Sequence, residues 1–343
     1  MSLLVGFPRL INEVIKTNKC ALCGTCEAVC PNRVIEIVGS KPMLKGACLL
    51  CDVCYVFCPM VDGAAKESEY KFLRPKRRDE QLGCYIDIYL ARSKLKEVLN
   101  VAQDGGFVTT MLIYLLDNEA IDGAVVTTVD EEWNPEPTVA TTREQVLEGA
   151  GTSYAVSPNL KALHEAVIER RMKRLAVVGT PCQINAARIL QLSPSVSGLG
   201  SPIYLTIGLF CTESFDYETL RQYLEQNEIK IKDVRKFDIK RGRFLAISKG
   251  GWELMNVPIK KMKGIARNSC RYCGDYTAEY ADVSVGSVGS PDGWSTVIIR
   301  SEKALKVFEE LVKEGWLEAA PVEHPGIDTV RRLSRKKKEA AGF

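Results

Sequence analysis

Cysteine is the residue type whose number and spacing carry chemistry in this sequence: 13 occur among 343 residues. Eight of them fall in two runs. Residues 20–31, CALCGTCEAVCP, read C-x2-C-x2-C-x3-C-P, and residues 48–59, CLLCDVCYVFCP, repeat the pattern. This is the run with which bacterial chains wrap a pair of 4Fe–4S clusters. Three thiolates spaced by two residues hold one cubane, and the fourth points to the neighbouring cluster. By that crossed rule Cys20, Cys23, Cys26 and Cys58 hold one cluster, and Cys48, Cys51, Cys54 and Cys30 hold the other. Zinc ribbons use two separated C-x2-C pairs per ion, which fits two complete runs ending in Cys-Pro poorly. Small duplicated segments that cannot build their own core need the metal as the core.

Five cysteines remain. Cys182 lies in GTPCQ and Cys211 in GLFC, each at the end of an apolar run, while Cys270 and Cys273 form the C-x2-C of CRYC. Together they make four ligands for a third cluster. Equally, Cys182 and Cys211 read as small buried hydrophobes beside an empty C-x2-C, and spacing alone leaves both readings open. Cys84, in QLGCYID, reads as a structural thiol. With His164 and His324 the only histidines, mechanisms needing several imidazoles are excluded.

Three glycine-rich turns are candidates for a non-metal cofactor: Gln103-Asp104-Gly105-Gly106, the GTPCQ turn with Gly179, Thr180 and Gln183, and VGSPDGWST with Asp292, Gly293, Trp294 and Ser295. Glycine lets backbone amides approach a ligand, and a helix N-terminus favours phosphate. No G-x-G-x-x-G or Walker A run is present, so a flavin or nicotinamide would be held by another arrangement.

The elements that must position these residues follow from periodicity. Apolar or alternating runs predict strands at Tyr85–Leu90, Gly123–Val129, Leu175–Val178, Ile203–Phe210, Val283–Val285 and Thr296–Ile299, and a short strand at Val34–Val38. Helices are expected over Phe107–Leu116, after Ser157 as N-cap with Pro158 at its first position, over Pro181–Leu190, after Asp216 through Gln226, and over Leu305–Lys313. Strands alternating with helices indicate an α/β fold with a mixed sheet. The expected organisation is a small ferredoxin-like two-cluster domain over 1–70, a basic linker over 71–82, a larger α/β domain over 83–330, and a basic tail over 331–343 that is a solvated helix end or a disordered end.

Hydrophobic residues make up 46% and charged residues 26%, which excludes disorder as the main state. A net charge of +3 gives no sign of a nucleic-acid partner. There is no stretch of about 18 apolar residues to insert in a membrane. The first residues lack a basic n-region and a cleavage site. A cytoplasmic protein is therefore expected, where dense cysteine indicates metal or redox chemistry.

In order along the chain, the ferredoxin run, DGGFVTTMLIYLL, GTPCQINAARIL, GLFC and CRYCGDYTAEYADVSVGSVGSPDGWSTVIIR resemble the coenzyme F420 hydrogenase/dehydrogenase beta-subunit family, from about residue 20 to about residue 305. The resemblance implies FAD as cofactor, the deazaflavin coenzyme F420 as substrate, and a third 4Fe–4S cluster on Cys182, Cys211, Cys270 and Cys273. It implies hydride transfer between reduced F420 and FAD, then single-electron flow through three clusters. With the two-cluster arm it points to the electron-input subunit of a membrane-bound F420H2 dehydrogenase complex, docked peripherally through a protein acceptor. Formate dehydrogenase beta subunits and F420-dependent sulfite reductase share the layout. FAD contacts are expected from Gly105, Gly106 and Thr109, with Thr152, Ser153 and Tyr154 as a second polar set and Asp275 in the C-x2-C-x-D block. The anionic coenzyme calls for basic residues, for which Arg241, Arg243, Lys260, Lys261, Lys263 and above all Arg267 are candidates.

Overall fold

The computed structural model describes residues 5–61, 71–73 and 77–342. Two small antiparallel pairs come first: β1 (Ile35–Val38) with β2 (Lys41–Leu44), and β3 (Arg77–Asp79) with β4 (Gly83–Tyr85). A large sheet then begins with β5 (Asp87–Ser93), β6 (Gly123–Val129), β7 (Pro135–Ala140), β8 (Leu175–Gly179) and β9 (Ile203–Leu209). The chain leaves it for a separate antiparallel sheet of β10 (Val234–Lys240), β11 (Arg243–Ser248) and β12 (Glu253–Pro258), and returns with β13 (Val283–Gly286), β14 (Ser295–Ile299) and β15 (Leu317–Pro321). The eight strands stand in the order β15-β5-β14-β13-β9-β8-β6-β7. β13, β9, β8 and β6 are parallel, β5 shares their direction through two antiparallel steps, and β7, β14 and β15 oppose them. The fold is thus the α/β class with a mixed sheet.

Covering layers explain the uninterrupted apolar strands. All five residues of β8 are buried, as expected of a strand sandwiched between helices. Its side chains alternate: Ala176 and Val178 face the core made by helices Phe107–Asp117 and Glu302–Lys313, whereas Leu175 and Val177 face helix Pro181–Leu192. The carboxyl ends of five strands therefore lie along one edge of the sheet. The turns after β8 and β9, the turn before β14 and the loop after β5 all open there, at the edge where open α/β sheets place ligands.

The N-terminal arm has an apolar cluster of its own, built on Phe7, Leu10, Val14 and Ile35. It also packs on the larger sheet, where Cys23, Ala28, Val29 and Phe57 share one apolar cluster with Leu160, Leu163, Val177 and Leu190. Expectations for three other segments need correction. The 71–82 segment is not merely a tether, since Leu73 and Leu82 are buried and Arg77–Asp79 is a strand; residues 62–70 and 74–76 lie outside the described residues. Residues 331–340 are a helix end, but not a solvated one: they complete helix Gly326–Ala340, whose Ile327, Val330, Ser334 and Lys337 are buried at helical spacing. The helical run expected after Ser157 is present over residues 159–169, opening as a 3-10 turn, Asn159–Lys161, but Ser157 does not cap it and its buried hydroxyl lacks a partner.

Candidate redox centre

The duplicated run repeats in the backbone as well as in the thiols. Leu22 and Gly24 in the first copy, and Leu50 and Asp52 in the second, all take positive φ. These left-handed residues curl each loop so that amides face sulfur, as where Leu50 N donates to Cys48 Sγ at 3.4 Å. Cys20, Cys23, Cys26 and Cys58 line one cavity with Leu10, Val14 and Met60. Cys30, Cys48, Cys51 and Cys54 line a second with Phe7 and Ile35. The structure thus gathers the eight thiols in the crossed grouping. Burial pushes the Cys26 thiol up, and repulsion from Cys23, Cys20 and Cys58 adds to it. Cys54 is pushed up to about 12 by burial and by Cys48, Cys51 and Cys30. Four thiolates gathered this way repel unless a cationic core neutralises them, which a metal cluster does. Among the described residues no three Cys, His, Asp or Glu side chains converge on a single-ion site. Each set rings a space rather than a point.

The other four cysteines come from three places in the sequence. Cys182 sits in the first turn of helix Pro181–Leu192, directly beyond β8, and Cys211 lies just beyond β9. Cys270 belongs to the 3-10 turn Asn268–Tyr272, with Cys273 next to it. Burial raises the Cys182 thiol, with Cys273 and Cys211 as charged neighbours, and Cys211 in turn faces Cys270 and Cys273. Polar groups approach the sulfurs: Ser214 N donates to Cys270 Sγ at 3.5 Å, and Thr180 Oγ1 lies 3.3 Å from Cys182 Sγ. These residues fit a cluster by number, chemistry and mutual facing. Cys84, by contrast, is buried and lines a different cavity, with Arg78, Asp79 and Glu279.

The three sets stand in series. The sheet-edge set meets the first set of the arm where Ser214, whose amide approaches Cys270 Sγ, is hydrogen-bonded to Arg267, whose guanidinium reaches Cys20 O; Cys182 and Cys23 lie within electrostatic reach of each other there. Cys26 and Cys58 both feel Cys54, joining the two arm sets. Cys51, at the far end, is exposed. The junction is tightly built. Leu160 N donates to Cys23 O at 2.9 Å, and a Cβ on Gly24 would stand 2.4 Å from Pro158 O. Arg267 crosses it: one guanidinium nitrogen donates to Cys20 O at 2.9 Å, and another pairs with Asp216. Arg267 is buried, so it is not a free cation for an anionic coenzyme, and Asp216 uses its carboxylate on Arg267 rather than on the helix it precedes.

Two of the three glycine turns meet. Gly105 N donates to Ser295 Oγ at 3.2 Å, and a Cβ on Gly105 would collide with Ala91 O and Ser295 N. Gly106, at φ 72°, opens helix Phe107–Asp117, which carries Thr109 in its first turn. The β10 strand roofs this turn. Lys236 Nζ donates to Gln103 O at 2.7 Å, Gln103 donates to Phe237 O, and Lys240 pairs with Asp292 at 2.8 Å. Asp104 lies among these charges; burial and the nearby Asp238 push its carboxyl up to about 6. Tyr154 flanks the same strand, its hydroxyl accepting from Ile239 N at 3.0 Å. Gly293 and Trp294 complete the neighbouring turn, Trp294 N donating to Pro291 O. Thr152 is half-buried, and Ser153 donates to Ala155 O.

Other expected contacts turn inward. The Gln183 carboxamide accepts from Thr180 N and donates to Ser157 O, as part of a capping box that follows Gly179. Asp275 is half-buried with its carboxylate accepting from Glu279 N, so it shapes the turn after Cys273. Arg241, Arg243, Lys260, Lys261 and Lys263 are exposed. Sequence reasoning missed Lys236 and Asp238 beside the Gln103 turn, because the β10 strand joins it only in three dimensions. It also missed Lys337, which donates to Cys211 O. The 3-4-3 spacing of Ile327, Val330, Ser334 and Lys337 was the available signal.

Residues 172–325 match the family model for the carboxy-terminal part of the coenzyme F420 hydrogenase/dehydrogenase beta subunit, and residues 88–164 match the model for its amino-terminal part. Residues 13–36 match a 4Fe-4S binding domain. Among curated proteins, the chain is 42% identical to the beta subunit of the coenzyme F420 hydrogenase of Methanococcus voltae, over 75% of this chain and 92% of that protein. It is 35% identical to the F subunit of the F(420)H(2) dehydrogenase of Methanosarcina mazei, over 97% and 93%. Among solved structures, it resembles a chain of the xenon-derivatised F420-reducing [NiFe] hydrogenase complex from Methanosarcina barkeri, with 37% identity, a TM-score of 0.74, and 77% and 92% of the two chains covered.

Proposed function

Since the chain belongs to the coenzyme F420 hydrogenase/dehydrogenase beta-subunit family, a family of F420-linked iron–sulfur oxidoreductase subunits, we propose that it oxidises reduced F420 at a flavin held at the sheet edge and exports the electrons through three 4Fe–4S clusters. The bound groups supply the electron chemistry: the deazaflavin gives a hydride, FAD divides the pair, and each cluster carries one electron. The protein holds, orders and insulates them.

The observation that carries this reading is the series of three thiol sets ending at the exposed Cys51. In it Cys182, Cys211, Cys270 and Cys273 hold the entry cluster, Cys20, Cys23, Cys26 and Cys58 the middle one, and Cys30, Cys48, Cys51 and Cys54 the exit. Gly105, Gly106 and Thr109, beside Ser295, are assigned to FAD, with the amides that open helix Phe107–Asp117 as candidates for its pyrophosphate. Lys236 and Lys240 replace Arg267 as the cations beside that site. Functionally, residues 5–61 are the wire and residues 83–330 the hydride site, while helix Gly326–Ala340 braces both the site and the β3–β4 hairpin through Arg331 and Asp79.

The role as electron-input subunit of an F420H2 dehydrogenase is favoured by likeness to the F subunit of the Methanosarcina mazei dehydrogenase over nearly the full length of both chains. No helix among the described residues is long and apolar enough to cross a membrane, so attachment to a membrane complex would be peripheral, through a protein acceptor that meets the arm near Cys51. Anaerobic stopped-flow mixing with reduced F420 tests the reading. Flavin bleaching followed by iron–sulfur bleaching is expected. Absence of acid-extractable flavin, or bleaching by NADPH but not by reduced F420, would overturn it.

A further inference from the structure

Helix Gly326–Ala340 begins at the end of the family-matched residues and runs beyond them. It is not an appendage. Arg331 pairs with Asp79 at 2.8 Å, Ser334 donates to Gln81 O, and Lys338 pairs with Glu279 at 2.7 Å. These contacts seat the helix against residues 79–81 and Glu279 and hold Lys337 beside Cys211. Lys337 is only 9% exposed, and its ammonium donates to Cys211 O. Its charged neighbours are Cys211, Cys273, Asp275 and Cys270. Thus a buried cation, delivered by an element outside the matched core, faces three of the four thiols of the sheet-edge set.

We propose that Lys337 is a positioning residue that sets the reduction potential of the sheet-edge cluster, making it easier to reduce and so drawing electrons from the hydride site into the chain of clusters. The proposal rests on the reading of Cys182, Cys211, Cys270 and Cys273 as cluster ligands. The physics is direct. An electron added to a cluster increases its negative charge, and a fixed ammonium in a poorly solvated setting stabilises that added charge more than it would in water. Arg267 stands on the other side of the same set, with Cys20, Cys270 and Cys182 as its charged neighbours, but it is shared with the arm's first set. Lys337 donates to Cys211 O, and the thiols that act on it most strongly, Cys211, Cys273 and Cys270, all belong to the sheet-edge set, so its effect is selective.

The test uses the anaerobic full-length protein and three variants, Lys337→Gln, Lys337→Met and Lys337→Arg. Glutamine keeps a donor for Cys211 O without the charge, and arginine keeps the charge. Iron content comes first: a wild-type protein with only about eight irons would refute the underlying cluster reading, whatever Lys337 does. With about twelve irons present, EPR-monitored redox titration decides. The expected result is a lower potential for one cluster in the Gln and Met variants, little change in the Arg variant, and unchanged potentials for the two arm clusters. Loss of four irons from the Gln and Met variants but not the Arg variant would also support a charge role. Equal potentials in wild type and the Gln variant, equal shifts of all three clusters, or iron loss from all three variants would overturn the proposal.

Discussion

The arm and the sheet edge gather thiols in opposite ways. In the arm, eight cysteines lie within 39 consecutive residues, and two short loops with matching left-handed turns present them. At the sheet edge, four cysteines span Cys182 to Cys273: the parallel register of β8 and β9 brings the Cys182 and Cys211 loops together, and backbone bonds of Arg267 N to Ser214 O and Cys211 N to Tyr276 O bring in the Cys270–Cys273 loop. The arm's sets depend on local geometry, with metal standing in for much of the core. The sheet-edge set depends on a core that forms from distant segments. The arm also leans on that second core through Phe57 and Val29, so the two regions are not energetically independent.

The sharpest break between the regions comes from removing a ligand. Cys270→Ser should abolish onward transfer and remove about four irons, while flavin reduction by reduced F420 persists. Normal reduction of the arm clusters in that variant would show that electrons bypass the sheet edge. Next, Phe57→Ala removes a fully buried ring where the arm meets helix Pro181–Leu192 and should lower stability by about 3–5 kcal/mol. Chemical denaturation followed both by far-UV CD and by cluster absorbance checks this. One shared transition is expected; an unaffected main transition would restore the picture of two separate domains. Deleting the whole arm should likewise expose apolar surface on the remaining chain rather than leave an intact module.

Smaller effects sharpen the comparison. Arg267→Met leaves Asp216 and Cys20 O without a partner and should cost about 1–3 kcal/mol, with slower passage from the sheet-edge set to the arm. Rapid-freeze EPR would detect the sheet-edge cluster reduced ahead of the arm clusters. Asp104→Asn tests the hydride site alone. Folding raises the Asp104 pKa from 3.8 to about 6, so its ionised form is penalised in the native state. Stability from this group is present below about pH 4 and is lost as pH rises through about 6. The Asn variant of the flavin-free protein should therefore gain about 1–2 kcal/mol at pH 8 and nothing at pH 4. A gain independent of pH would remove electrostatics as its cause.

How much was legible follows from the same contrast. The arm's ligand grouping could be read directly because its spacing is its geometry. Strands β6, β8 and β9 and helix Pro181–Leu192 were legible from apolar runs and the Thr180-Pro181 start. Gly105 and Ser295 could be nominated but not joined, since they meet only when β5 and β14 pair. Arg267 was misassigned because sequence shows a cation near Cys270, not that its guanidinium reaches Cys20 O across 247 positions. The end of the chain misled through composition. Its basic residues suggest solvent, yet Val330, Ser334 and Lys337 form a buried stripe. Ser157 and Pro158 looked like a capped helix start, but Pro158 O and Lys161 N abut Gly24 of the arm, and tertiary packing decides that backbone.

The central claim is that one chain wires three clusters in series from the sheet edge to the exposed end of the arm. Iron and acid-labile sulfide analysis of anaerobically prepared full-length protein tests it most directly. About twelve of each per chain are predicted, whereas about eight, or zinc in place of iron at the arm, would contradict the account.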